Sequence, residues 1–144
     1  MSQCVLACFT LLAGCGAAAT TLKYIEQLDL AFAPQNSVVG TDQIHQLSRF
    51  ARNMATRCVV GNAGSIVVAV EAIVSQQPSS GERATALARI KSTKQALLSL
   101  GVPEQAIFDG LATDKEMADR RTAAGLAAPL PPNTVAIELV CDPR

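Results

Sequence analysis

Aromatic residues are almost missing from this chain: its 144 residues hold four Phe, one Tyr and no Trp. A stacking platform for sugars or bases is therefore excluded, and the core must be built from Ala, Val, Ile and Leu. Charge of one sign is lacking too, with 12 Lys and Arg balanced by 12 Asp and Glu, which leaves no basic field to attract nucleic acid. Histidine occurs once, at His45, beside Gln43, Gln46 and Arg49 in a helical pattern. With no second histidine and no Gly-x-Ser-x-Gly turn, neither a nucleophile nor its base can be assembled, and the chain reads as no enzyme. Cys-x-x-Cys and Cys/His ligand clusters are also absent, so no metal is expected. The Gly61-Asn62-Ala63-Gly64 turn carries no Walker pattern, and no cofactor is expected.

What the chain does have is an apolar run of nine residues, Val5 to Ala13, ending in Leu12-Ala13-Gly14-Cys15. Nine residues suit a secretory leader and fall well short of the roughly 20 needed to span a bilayer as a helix. The n-region, Met1 to Cys4, contains no Lys or Arg, which a start upstream of Met1 would explain. Leu12-Ala13-Gly14-Cys15 resembles a bacterial lipobox. That resemblance implies cleavage before Cys15 and acylation of its thiol, so the protein is anchored to a membrane without crossing it. Gly16, in place of an aspartate, implies sorting to the outer membrane. The expected organisation is a signal peptide over residues 1–14, a lipidated tether over 15–23 and one domain over 24–144, which is long enough for a single core.

Cys4 and Cys8 would leave with the leader and Cys15 would take the lipid, which isolates Cys58 and Cys141. In an oxidising periplasm these two are candidates for a disulfide closing a loop of about 80 residues. Two separate buried thiols are the alternative.

Alternation over Leu28, Leu30 and Phe32 predicts a first strand near Tyr24 to Ala33, and Pro34-Gln35-Asn36-Ser37 a turn. Thr41 is placed to cap a helix whose Ile44, Leu47, Ala51 and Met54 recur at helical spacing up to Arg57. Ser65 to Val74 is β-branched and nearly all apolar, as in a central strand. A second helix follows through Ala84, Leu87, Ile90, Leu97 and Leu98 and stops at Gly101, with Pro103 beyond. Ala106 to Asp109 reads as a short strand, Asp114 to Ala124 as a charged helix, Ala127 to Pro132 as an extended connector and Val135 to Val140 as the last strand. Mixed signs in Asp114-Lys115-Glu116 and Asp119-Arg120-Arg121 suit intrahelical ion pairs or a partner-binding face. The order β-α-β-α-β-(α)-β predicts an α+β fold with helices packed on one mixed sheet.

From Leu28 to Val140 the chain resembles the periplasmic OmpA C-terminal-like domain. The resemblance is carried by Leu28-Asp29-Leu30-Ala31-Phe32, the Thr41 helix, the Ser65 strand, Leu98-Ser99-Leu100-Gly101-Val102-Pro103-Glu104-Gln105-Ala106-Ile107 and Asn133 to Leu139. It implies a peptidoglycan site in which an Asp accepts from the diaminopimelate ammonium while an Arg in the second helix grips its carboxylate, with a further Arg starting the final strand. Here the Asp position falls near Ile73 and the final Arg near Thr134, and only Arg89 is retained. An apolar side chain cannot accept from an ammonium, so the family mechanism lacks two of its three anchors. A lone arginine on a helix otherwise reads as a surface cation.

The expected protein is a noncatalytic outer-membrane lipoprotein, lipid-anchored on the periplasmic face and serving as a structural component of an envelope-spanning assembly of secretion or conjugation type. Its partners would be the membrane, through Cys15, and other envelope proteins. Three alternatives stand beside it. One is a peptidoglycan tether that keeps Arg89 and uses Glu71 or Glu82 as acceptor. Another is a pilus-assembly lipoprotein of the CpaD type, although the cysteine-rich C-terminal portion of that family is absent here. The third is a cytosolic binding module with all thiols reduced.

Overall fold

The computed structural model describes residues 22–61, 64–126 and 130–144. The expected leader, the Cys15 lipidation site, part of the Gly61 to Gly64 turn and part of the 127–132 connector lie outside the described residues.

Four strands and three helices alternate: β1 (Tyr24–Ala31), α1 (Thr41–Arg57), β2 (Ile66–Val74), α2 (Ser80–Ser99), β3 (Ile107–Thr113), α3 (Asp114–Ala123) and β4 (Thr134–Cys141). The strands form one sheet in the order β1-β4-β2-β3. β4 lies antiparallel to both β1 and β2, while β2 and β3 are parallel. This is the α+β fold expected from the pattern of elements. The first strand stops at Ala31, two residues short of expectation. Phe32 has left the β1–β4 ladder, although its amide still donates to Asn133 O at 2.9 Å. The third strand is longer than the apolar run suggested, because its pairing with β2 carries it through Gly110 to Thr113.

α1 and α2 cover one face of the sheet. Phe50, Leu30, Leu47, Leu97, Ile137 and Leu139 are fully buried between the layers, each worth about 1.5–3 kcal/mol of transfer free energy. α1 shows the expected stripe, with Leu47, Ala51 and Met54 buried and Phe50 added. Its N-cap is Gly40 rather than Thr41, and the Gln43 side chain accepts from the Gly40 amide at 2.7 Å. α2 departs from expectation in phase. Its buried residues are Ala86, Arg89, Ile90, Thr93, Ala96 and Leu97, whereas Ala84 and Leu87 face solvent. Two polar residues on the buried stripe blur the amphipathic period that sequence reading depends on.

α2 starts at Ser79, whose hydroxyl accepts from Glu82 N at 3.1 Å, and ends where Gly101 takes φ +88°. That left-handed turn lets Val102 N reach Leu97 O at 3.1 Å and closes the helix. α3 lies on the other face, over Ile73 and Ala112 through Met117, so the helices are divided between the two faces of the sheet. Cys58 and Cys141 are disulfide-bonded, with 5.6 Å between Cα atoms and a sequence separation of 83. On the chain-entropy model a loop of that length contributes about 4 kcal/mol. The bond joins the end of α1 to the end of β4.

Candidate functional site

The three strand-to-helix connections that leave the C-terminal ends of β1, β2 and β3 lie at one end of the sheet together with the start of β4, and Arg89 of α2 reaches towards two of these segments. Three turns into α2, its side chain passes beneath the β1–α1 loop and is only 4% exposed. Nε donates to Asn36 O at 2.8 Å, Nη2 to Ala33 O at 3.2 Å and Nη1 to Asn133 Oδ1 at 3.1 Å. The Phe32 ring lies 5.4 Å from its guanidinium carbon, within range of a cation–π contact. Among the described residues Arg89 has no carboxylate partner. Burial lowers its pKa from the usual arginine value, yet a guanidinium stays charged in a protein.

The reading of Arg89 as a helix-surface cation is thus corrected: the guanidinium is internal and binds two loops together. Its partners escaped sequence reading because two are backbone carbonyls, which leave no signature in the sequence. The third, Asn133, has φ 64°, a conformation asparagine tolerates well. The Pro131-Pro132-Asn133 run was the available signal for that turn.

Residues expected to share a site with Arg89 lie elsewhere or lack the chemistry. Ile73 is 7% exposed and packs with Ala112 and Met117 beneath α3. Thr134 is 1% exposed, and its hydroxyl donates to Pro131 O at 2.8 Å. Of the two substitute acceptors, Glu82 caps the β2–α2 loop by accepting from Ser75 N at 2.6 Å and Ser75 Oγ at 2.9 Å. Glu71 faces α3 on the other side of the sheet and pairs with Arg120 at 3.0 Å. Neither carboxylate forms an ion pair with Arg89. His45 is exposed on α1.

Between α3 and the sheet lies a cleft of about 250 Å³, lined in part by Asp29, Glu71, Met117, Arg120, Arg121 and Glu138. Two arginines cross it from the helix: Arg120 to Glu71 on β2, and Arg121 to Asp29 on β1 at 3.0 Å. The bond to Glu71 raises the Arg120 pKa. Lys115 and Asp119 form the expected intrahelical pair, at 2.6 Å. Arg120 and Arg121 instead fasten α3 to the strands. A second hollow, of about 400 Å³ and more open, runs beside Phe32, Asn36 and Gln43 at the β1–α1 loop. Among the described residues no group of His, Cys, Asp and Glu could hold a metal ion.

Sequence comparison finds no matching family model and no matching curated protein. Comparison of structures does find relatives. The OmpA-like domain of FopA1 from Francisella tularensis superposes with a TM-score of 0.58 at 11% identity, covering 85% of this chain and 76% of that one. The periplasmic domain of Helicobacter pylori MotB, residues 78–256, gives 0.52 at 13% identity, over 82% of this chain and 75% of that one. The form of the same domain spanning residues 90–256 gives 0.52 at 15%, over 82% and 74%. At such identities the likeness concerns architecture alone. This chain has the OmpA-like fold: three helices and a four-stranded mixed sheet in the order β1-β4-β2-β3.

Proposed function

We propose that the protein is a noncatalytic outer-membrane lipoprotein, acylated at Cys15, whose OmpA-like domain is a structural part of an envelope-spanning assembly of secretion or conjugation type. The observation that carries this reading is the state of Arg89. The one retained anchor of the family's peptidoglycan site is buried and engaged by Ala33, Asn36 and Asn133 of its own chain. The other two positions hold Ile73 and Thr134, both buried. A site so filled holds the domain together rather than a ligand. The resemblance of Leu12-Ala13-Gly14-Cys15 to a lipobox supports the location.

The test is a Cys15→Ser chain expressed in its own envelope. Intact mass should show loss of the acyl adduct, and cross-linking should show loss of the envelope proteins captured by the native chain. A Cys15→Ser protein that still sorted to the membrane and captured the same partners would refute the reading.

One observation favours a second reading, the peptidoglycan tether. Arg89 carries a charge balanced by no carboxylate of the described chain, and the β1–α1 hollow opens beside two of its loop partners. A ligand carboxylate entering there could meet that charge if the loop turned outward. Pull-down on purified sacculi decides the matter: capture abolished by Arg89→Lys, a variant that keeps the charge but not the planar fork, at a temperature where that variant keeps its folded circular-dichroism spectrum, would favour the tether. Capture insensitive to that change would leave the scaffold reading alone.

A further inference from the structure

Of the eight large apolar side chains left exposed among the described residues, five stand at one end of the domain, while Val38 lies in the β1–α1 loop and Leu87 and Leu98 on α2. β1 begins at Tyr24 opposite Cys141, β2 at Ile66 opposite the same residue, and β3 at Ile107 beside Val68. Leu22, Ile25, Val60, Val67 and Phe108 stand at this end, between 36% and 84% exposed. Ile25, Val140 and Val67 form one row across the sheet, and Phe108 lies beside Ala69 on the same face. α3 packs on that face over Ile73, Ala112 and Ala136 and reaches Glu71 and Asp29 through its arginines, leaving Ile25, Val67 and Phe108 exposed. The near end is therefore an open apolar surface on a sheet, of the kind that marks an interaction site.

The length of chain between Cys15 and this surface says what meets it. Leu22 follows Cys15 by seven residues, and such a segment spans at most about 25 Å when fully extended. An acylated Cys15 thus holds this end of the domain, and not the Arg89 end, against the lipid. Arg57 and Arg144 rim the same end, Arg57 beside the Tyr24 ring and Arg144 N donating to Arg57 O, whereas the charge of Lys23 is met by Asp142. Cations there suit anionic headgroups.

We propose that the open end of the sheet, centred on Ile25, Val67 and Phe108, docks on the phospholipid leaflet that holds the acyl chains. The proposal rests on the acylation of Cys15 put forward above. A short tether keeps the patch at an effective concentration of about millimolar relative to the leaflet, so weak apolar contact suffices to hold it there. Docking turns the Arg89 loops away from the membrane, towards whatever the assembly presents.

The chain contains no Trp, so Phe108→Trp and Val38→Trp each install a single fluorophore, one at the docking end and one in the β1–α1 loop. Each acylated full-length variant is reconstituted into phosphatidylethanolamine and phosphatidylglycerol vesicles containing a lipid brominated near its headgroup, and the same sample is floated on a density gradient. The expected result is flotation of both, with blue-shifted, quenched emission from Phe108→Trp and neither effect from Val38→Trp. Ile25→Trp should behave like Phe108→Trp. Flotation with equal, unquenched emission overturns the docking while leaving the anchor in place. A blue shift at position 108 with no lipid quenching, accompanied by cross-links between copies, assigns the surface to a second copy and overturns it too. Failure to float, with no acyl adduct by mass, removes the anchor and the docking together.

Discussion

Arg89 Nη1 donates to Asn133 Oδ1 at 3.1 Å, joining the middle of α2 to the residue that precedes β4. The Asn133 carbonyl meanwhile accepts from Phe32 N at 2.9 Å. One asparagine and one arginine thus bind the end of β1, the middle of α2 and the start of β4 into a single polar knot beneath the β1–α1 loop. Removing the arginine leaves Ala33 O, Asn36 O and Asn133 Oδ1 without their donor. Arg89→Ala should destabilise the domain by roughly 2–4 kcal/mol, and Arg89→Lys by somewhat less, because an ammonium cannot serve three separated acceptors at once. Urea denaturation of both variants checks the order.

Thr93 sits opposite in character. It is 0% exposed on the buried stripe of α2, and its hydroxyl has no hydrogen-bond partner. Val has nearly the same shape and no group to desolvate. Thr93→Val should therefore raise stability by about 1 kcal/mol, read as a shift of the denaturation midpoint with an unchanged slope.

The Glu82 carboxylate accepts from the Ser75 amide and hydroxyl, and these bonds, led by the backbone one, hold its pKa below the ordinary value of 4.5. A group with a depressed pKa in the folded state stabilises the fold above its unfolded pKa. That contribution is lost as pH falls from there through the folded pKa. Glu82→Gln should cost about 1 kcal/mol at neutral pH, and the difference from the native chain should close on acidification below about 4.5. Stability curves for the two proteins at successive pH values measure that closure.

α3 buries a single residue, Met117, so its attachment depends on Arg120 with Glu71 and Arg121 with Asp29. Both pairs are partly open to solvent, and each is worth about 0.5–1 kcal/mol. Hydrogen exchange in α3 should quicken in Glu71→Gln and Asp29→Asn while β2 and β4 keep their protection. Added salt should quicken the native α3 in the same way. Equal loss of protection throughout the sheet would show that α3 opens only with the whole domain.

Reading the chain as sequence located the four strands and the three α-helices but not the short 3-10 turn at Glu104–Ala106, because α1 carries a clean helical period, β2 a β-branched apolar run, and Gly101 and Pro103 mark the end of α2. The phase of α2 was not legible. Arg89 and Thr93 occupy its inner stripe, and hydropathy assigns such residues to the outside, so Leu87 took their place in the expected core. The knot around Arg89 was hidden for a related reason. Its oxygens at Ala33 and Asn36 are main-chain atoms, brought near α2 by a turn whose Gln35 takes φ 62°. The charges of α3 suggested pairs along the helix. Two of them cross to strands 49 and 92 residues away in sequence, a distance at which local spacing carries no information.

The β1–β4 ladder and the disulfide at its foot also define a path for mechanical load. All eight residues of β1 are paired with β4, from Tyr24 opposite Cys141 to Ala31 opposite Thr134. A pull at Tyr24 along the strand axis, resisted at the loops of the far end, strains those pairs side by side in shear instead of opening them one after another. Cys141 is itself bonded to Cys58, so tension reaching the foot of β4 passes covalently into α1. The edge strand that would tear first is thereby backed by the strand and the helix behind it.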